Sequence, residues 1–381
     1  MSRQASLGDL VGTLFRGVGS RREARERCKR KARRRAPRIE SLEQRVLLAF
    51  SNPALNFDGL AHNPVAPPDT VGDVGPNHFV QAVNDSGGAE FAIYDKAGNL
   101  LGSAHMDSLA TSGACTSGRG DPIVLYDHLA DRWVLAEFAD TGNHLCVYVS
   151  QSGTPTTNSA DWYAYDFNTA NFPDYPKITV WPDAYYVGTN ESDNPVYALD
   201  RAAMLAGNPA TMVRATTTDR PNWPRDHIMP ADLDGPAPPP GTPGIFLRQV
   251  DDEVTSGTPD PTQDYLEVWE MRPDFVAATA SYSLVATIPI ADFDYYVGSS
   301  GRDDIEQPGT GIELDALPHY IMWRAQYRVF DGYVSLVANF TVDANEDSTQ
   351  DYEGGTAAEQ AGIRWFELRR TPGGGWQLYQ E

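Results

Sequence analysis

Four aspartates, Asp69, Asp121, Asp174 and Asp226, recur near the start of successive runs of apolar and β-branched residues. Carboxylates gathered from such positions raise one another's pKa or demand a cation. Paired at a suitable separation, they could serve as acid and base for glycoside hydrolysis. The plainer use of each is to cap a turn and bond its own backbone. A second constellation is Asp343, Asn345, Asp347 and Asp351, whose alternating oxygen ligands suit Ca²⁺. Ser348 and Gly354 stand where an EF-hand loop wants Gly and Glu, so a solvated loop is the competing reading. Trp162, Tyr175, Trp181 and Trp223 lie near turns, where rings stack on sugars or are buried between sheets. The histidines show no paired ligand spacing, which argues against zinc. No G-x-S-x-G elbow, phosphate-binding glycine loop or C-x-x-C occurs.

The elements that would position these groups are short strands. Asp121–Asp127, Arg132–Phe138, His144–Val149 and Trp162–Phe167 are β-branched and aromatic runs, each closed by Asp, Gly, Asn or Pro. That is how a four-stranded antiparallel sheet reads. Similar sets begin at Asp69 and Lys177, and looser ones, interrupted by polar insertions, at Ile228 and Tyr320. Third strands carry Tyr94, Tyr148, Tyr197, Trp269 and Trp365 beside apolar residues. A sheet of this kind cannot bury both faces alone, so stacking around an axis is the natural solution. The expected fold is all-β, a β-propeller of about five four-stranded blades or an incomplete copy of a larger one. A β-sandwich or two all-β domains is the rival. If the propeller holds, the four aspartates converge on one mouth of its channel.

Charge divides the chain. Residues 1–45 hold 14 Lys and Arg against 5 acids, whereas the other 336 residues hold 16 against 47. The net of +9 and the net of −31 sum to the overall −22. An acidic body repels phosphates, which excludes nucleic acid as its partner. No apolar run approaches the roughly 20 residues of a transmembrane helix. The basic stretch Arg21–Arg35 reads either as a disordered, solvated tail or as an arm for nucleic acid or a membrane surface. Cys28 lies in that leader, so the body carries an even pair, Cys115 and Cys146. They form either one disulfide or two unpaired thiols, with Cys146 filling a strand interior.

Leu42-Glu43-Gln44-Arg45-Val46-Leu47-Leu48-Ala49 resembles the LEPR-XLL sorting motif of secreted and surface proteins of planctomycete-type bacteria, with Gln44 at the usual proline. The resemblance implies that residues 1–49 are a targeting leader and that the body is secreted or displayed at the cell surface. Residues 50–68 then form an extended lead-in, and 69–381 the propeller-like domain. The segments at Asp121–Asp127, Asp174–Tyr186, Ala198–Met204 and Ala231–Gly235 resemble an uncharacterised group of secreted bacterial β-propeller-like proteins. Asp121-Pro122 before a β run also looks like the inner strands of five-bladed glycosidases, although their fuller sugar-site motifs are absent. The expected function is a non-catalytic binding module for an extracellular glycan or protein ligand. The alternative is a carbohydrate-active hydrolase using the Asp ring. No cofactor is expected beyond Ca²⁺ at the Asp343 loop.

Overall fold

A computed structural model describes residues 53, 55–61, 63–218, 227–255, 260, 262–295, 305, 307–344 and 360–381. The leader, its sorting motif, Trp223, Asp226, Asn345, Asp347 and Asp351 lie outside the described residues. The chain is all-β, with twenty strands among the described residues, taken in order. Three antiparallel sheets of four strands each come first: β1–β4 (Val71–Val74, His78–Asp85, Gly88–Asp95, Leu100–His105), β5–β8 (Gly118–Asp127, Arg132–Ala139, His144–Ser150, Trp162–Asn168) and β9–β12 (Lys177–Val180, Ala184–Gly188, Pro195–Asp200, Met212–Thr216). Two further meanders follow, β13–β16 (Met229–Leu233, Gly244–Val250, Asp264–Asp274, Thr279–Ile290) and β17–β20 (Ala325–Phe330, Tyr333–Asp343, Ala361–Arg370, Gln377–Gln380). Parallel pairing of β13 with β17, Ala231 opposite Ala325, fuses these two into one eight-stranded sheet. Two short α-helices among the described residues, α1 (Arg201–Leu205) and α2 (Asp252–Thr255), lie between strands.

Each meander buries its apolar alternation against the next. Val80, Phe91, Val124, Trp133 and Tyr148 fill the layer between the first and second. Ile123, Val134, Val147, Tyr185 and Tyr197 fill that between the second and third, and a larger cluster joins the third, fourth and fifth. No buried apolar cluster among the described residues joins the fifth meander to the first. The lead-in covers the first one's free face instead: Phe57 packs on Tyr94 at 5.2 Å and Leu60 N–H donates to Gln81 Oε1 at 2.8 Å.

The first strands of the meanders meet one another. Tyr126 N–H donates to Asp73 at 2.8 Å, and Val180 N–H to Asp232 at 2.8 Å. Arg324, just before β17, lies 3.0 Å from Asp73 and 3.9 Å from Asp232 and donates to the Val124 carbonyl at 3.4 Å. Its neighbour Trp323 donates from Nε1 to the Ile178 carbonyl at 3.1 Å. Two consecutive side chains thus touch the first strands of all four other meanders. Burial raises the Asp232 carboxyl to about 6, against the pull of Arg324.

Between the second and third meanders the join is ionic as well as apolar. Asp127 is fully buried and takes a two-pronged bond from Arg201, at 2.7 and 2.9 Å. The Tyr185 hydroxyl donates to the same carboxylate at 2.8 Å. This geometry supports an ion pair away from water.

Candidate functional site

The candidate site begins with a backbone feature repeated at the head of the meanders. Asp69, Asp121 and Tyr175 have φ of 42°, 52° and 53°; the first and third stand two positions before strand pairing starts, and Asp121 stands two positions before pairing resumes at Ile123, in the irregularity after Gly120. Left-handed backbone is uncommon for residues other than glycine, and Asp is among the side chains that tolerate it best. The kink takes each residue out of the strand's regular alternation. Gly120 permits the second kink, because a Cβ there would sit 2.4 Å from Asn84 Oδ1.

Two asparagines, Asn84 in β2 and Asn190 just after β10, hold the aspartates. Asn84 Nδ2 donates to Asp69 Oδ2 at 2.9 Å, and Asn84 Oδ1 accepts from Asp121 N–H at 2.9 Å. Asn190 Nδ2 donates to Asp174 Oδ2 at 2.8 Å. The Asp69 and Asp121 carboxyls also lie within electrostatic reach of each other. Burial first, then the Asp69 charge, pushes the Asp121 carboxyl up to about 7, while Lys177 pulls it down. Burial lowers the Lys177 ammonium to about 8 against the pull of Asp121, Asp69 and Asp174. Three carboxylates and one amine from three meanders therefore interact at one place. Asp226 lies outside the described residues.

An aromatic floor adjoins the carboxylates. Tyr175 stacks on Tyr320 at 4.8 Å, and His227 meets both edge-on, at 5.4 and 5.5 Å. The Lys177 ammonium covers Tyr175 from 3.5 Å. His227 is 2% exposed, and neither ring nitrogen has a hydrogen bond of full geometry; Nε2 lies beside Gly188, whose backbone interacts with it weakly. Burial, and secondarily Lys177, lowers this imidazole to about 3, so it is neutral at ordinary pH.

The other aromatic candidates are placed elsewhere. Trp162 is buried against Phe91 and donates from Nε1 to the Thr156 carbonyl at 2.8 Å. Trp181 is fully buried against Tyr327. Neither offers a ring face to a ligand, and Tyr175 has Lys177 and Tyr320 over its ring; in each case packing uses the surface that sugar stacking needs. Of the four oxygen ligands read in the Asp343 loop, only Asp343 is described, and its Oδ1 accepts from Gln360 N–H at 3.2 Å. Cys115 and Cys146 are joined in a disulfide with Cα atoms 5.5 Å apart.

One metal-compatible group was not legible in the sequence. Asp251, Glu253 and Asp264 bring carboxylate oxygens within 4.8 Å of one another, the one such group of three among the described residues. Burial raises them to about 7, 7 and 8. Backbone N–H groups of Asp252 and Phe293 serve Asp264, both at 2.8 Å.

Asp121 has a measurable consequence for stability. Its folded pKa is raised above the unfolded value of about 3.9. The stabilisation it contributes is fully present below pH 4 and is lost as pH rises towards 7. Asp121→Asn should therefore gain on the wild type between pH 5 and pH 8, by roughly 1–2 kcal/mol after solvent screening of a partly exposed group. Urea midpoints at the two pH values check this. A constant wild-type-to-variant difference would contradict the raised pKa.

No known family pattern matches the sequence, and no curated protein does. Among solved structures, the chain is similar to hydrazine synthase of Kuenenia stuttgartiensis, at 11% identity over 85% of this chain and 69% of that one, with a TM-score of 0.41. It is also similar to the catalytic domain of a Coprinopsis cinerea GH62 α-L-arabinofuranosidase, at 10% identity over 80% and 90%, TM-score 0.32. A third is an exo-β-1,3-galactanase from Clostridium thermocellum, at 11% identity over 85% and 64%, TM-score 0.35. At these values the likenesses carry no argument about this chain's site or activity.

Proposed function

We propose that residues 69–381 are a five-bladed β-propeller, exported to the cell surface or beyond, which binds an extracellular glycan at its axial mouth without cleaving it. The five successive meanders with touching first strands support the blade reading. The leader resembling a sorting motif supports export. The observation that carries the binding role is that one asparagine holds two of the aspartates together: Asn84 donates to Asp69 at 2.9 Å and accepts from Asp121 N–H at 2.9 Å. Clustered carboxyl groups and an amine suit recognition of hydroxyl groups.

One observation favours the hydrolase reading. Asp121, raised to about 7, is poised as a general acid at neutral pH, with Asp174 as the second carboxylate. A glycan array and a panel of chromogenic glycosides separate the two. The binding module predicts retention on the array, weakened about tenfold or more by Asp174→Asn, a loss of about 1.4 kcal/mol, and no colour release. Turnover that disappears in Asp121→Asn would establish the hydrolase instead.

A further inference from the structure

The same cluster narrows the chemistry of its ligand, an inference that rests on the glycan-binding reading. Asp69, Asp121 and Asp174 against Lys177 leave an excess of negative charge, in a body whose net charge beyond residue 45 is −31. Such a field draws cations and repels uronates and sulfated sugars. A bare metal ion does not fit. Among the described residues, no set of three carboxylates other than Asp251, Glu253 and Asp264 comes within 4.8 Å, so these three are spread too widely to close on one ion. The donors they face must be distributed over a molecule several ångströms across.

Stacking cannot be the main handle, since Lys177 and Tyr320 occupy the Tyr175 ring. Recognition falls to charge and hydrogen bonds. Asn84 and Asn190 each fix one oxygen of an aspartate, which holds the carboxylates in place before a ligand arrives. His227 supplies an independent sign that something is meant to bind. It is buried, packed against Tyr175 and sensitive to the Lys177 charge, yet it has no full hydrogen bond. A buried polar group left unpaired costs roughly 1–3 kcal/mol, which a donor arriving beside it would recover.

We infer that the axial cluster takes a glycan bearing protonated amines, that is, hexosamine units without their acetyl groups. The ammonium pairs with the aspartates while ring hydroxyls donate to the remaining carboxylate oxygens. A lysine-rich peptide offers the same charge, but each side chain presents one point charge and no flanking hydroxyls.

Calorimetric titration of the full chain tests this with three probes: a glucosamine tetramer, its fully N-acetylated counterpart and polylysine. The expected result is binding of the free-amine tetramer at least about tenfold tighter than the acetylated one, weakened by salt. Asp174→Asn, whose amide can keep a bond to Asn190, should remove that preference, and Asp69→Asn provides a second variant should the first fold poorly. Exposed Asp274→Asn should leave it unchanged. Equal binding of the two tetramers would overturn the amine specificity while leaving the glycan reading intact. Polylysine alone, or no binding at all, would overturn both. A preference that survives both site variants would place the recognition elsewhere and overturn the inference.

Discussion

Arg201→Met is expected to lower the unfolding free energy by about 3–5 kcal/mol, as loss of one partner of a buried ion pair does. Asp127 is fully buried and Arg201 is 9% exposed, so water cannot replace the guanidinium. The carboxylate would keep only the Tyr185 hydroxyl and the turn amides of Leu129 and Ala130, at 3.1 and 3.2 Å. At roughly 2–4 °C per kcal/mol, Tm should fall by on the order of 10 °C. The double variant Asp127→Asn with Arg201→Met removes the stranded charge. It should be more stable than Arg201→Met alone, although it has lost more of the native contact. If the double variant is the less stable one, desolvation is not the governing cost. Urea denaturation of the three proteins settles the order.

Much of the fold was legible because local and tertiary demands agree. The runs at Asp121–Phe138 and His144–Phe167 are closed by turn residues and form β5–β8, with Asp127 opposite Arg132 across the expected turn. The fifth meander departs from its sequence pattern. Tyr320–Arg328 reads as one strand, but β17 begins at Ala325. The residues before it are diverted by long-range partners. Trp323 and Arg324 bond to backbone on β9 and β5, and Arg324 pairs with Asp73 on β1. Nothing within a local window announces such partners. The parallel join of β13 to β17 was hidden for the same reason, since some ninety residues separate the two strands.

The site divides along a similar line. Asp69, Asp121 and Asp174 stood out by recurring at equivalent places, and the structure brings these three into mutual electrostatic contact. Lys177 reads in the sequence as an ordinary strand residue. The available signal was a lone cation in the otherwise uncharged run Lys177–Trp181. His227 and Tyr320 carry no such mark, because their contact with Tyr175 joins three separate meanders. The Asp251, Glu253 and Asp264 group is not legible locally because it is closed by α2 and the start of β15, which a turn-rich acidic stretch does not predict.

Opening the Cys115–Cys146 bridge should cost roughly 3–4 kcal/mol, the loop-closure value for the 31 residues it spans. The bridge ties a short 3-10 turn, Ala114–Thr116, to the interior strand β7. Both cysteines are buried, at 1% and 0% exposure, and the Tyr148 hydroxyl donates to the Cys115 carbonyl at 3.2 Å. Without the crosslink, the segment between the strands gains freedom chiefly in the unfolded chain, where the constraint acts. The double variant Cys115→Ala with Cys146→Ala should therefore unfold at lower urea than the oxidised wild type. Fully reduced wild type should fall close to the same midpoint, since both have lost the same closed loop. Burial also predicts slow reduction of the native protein by a mild thiol, speeding up as denaturant approaches the midpoint. A double variant within about 1 kcal/mol of the oxidised protein would show that native packing, rather than chain closure, holds the turn against β7.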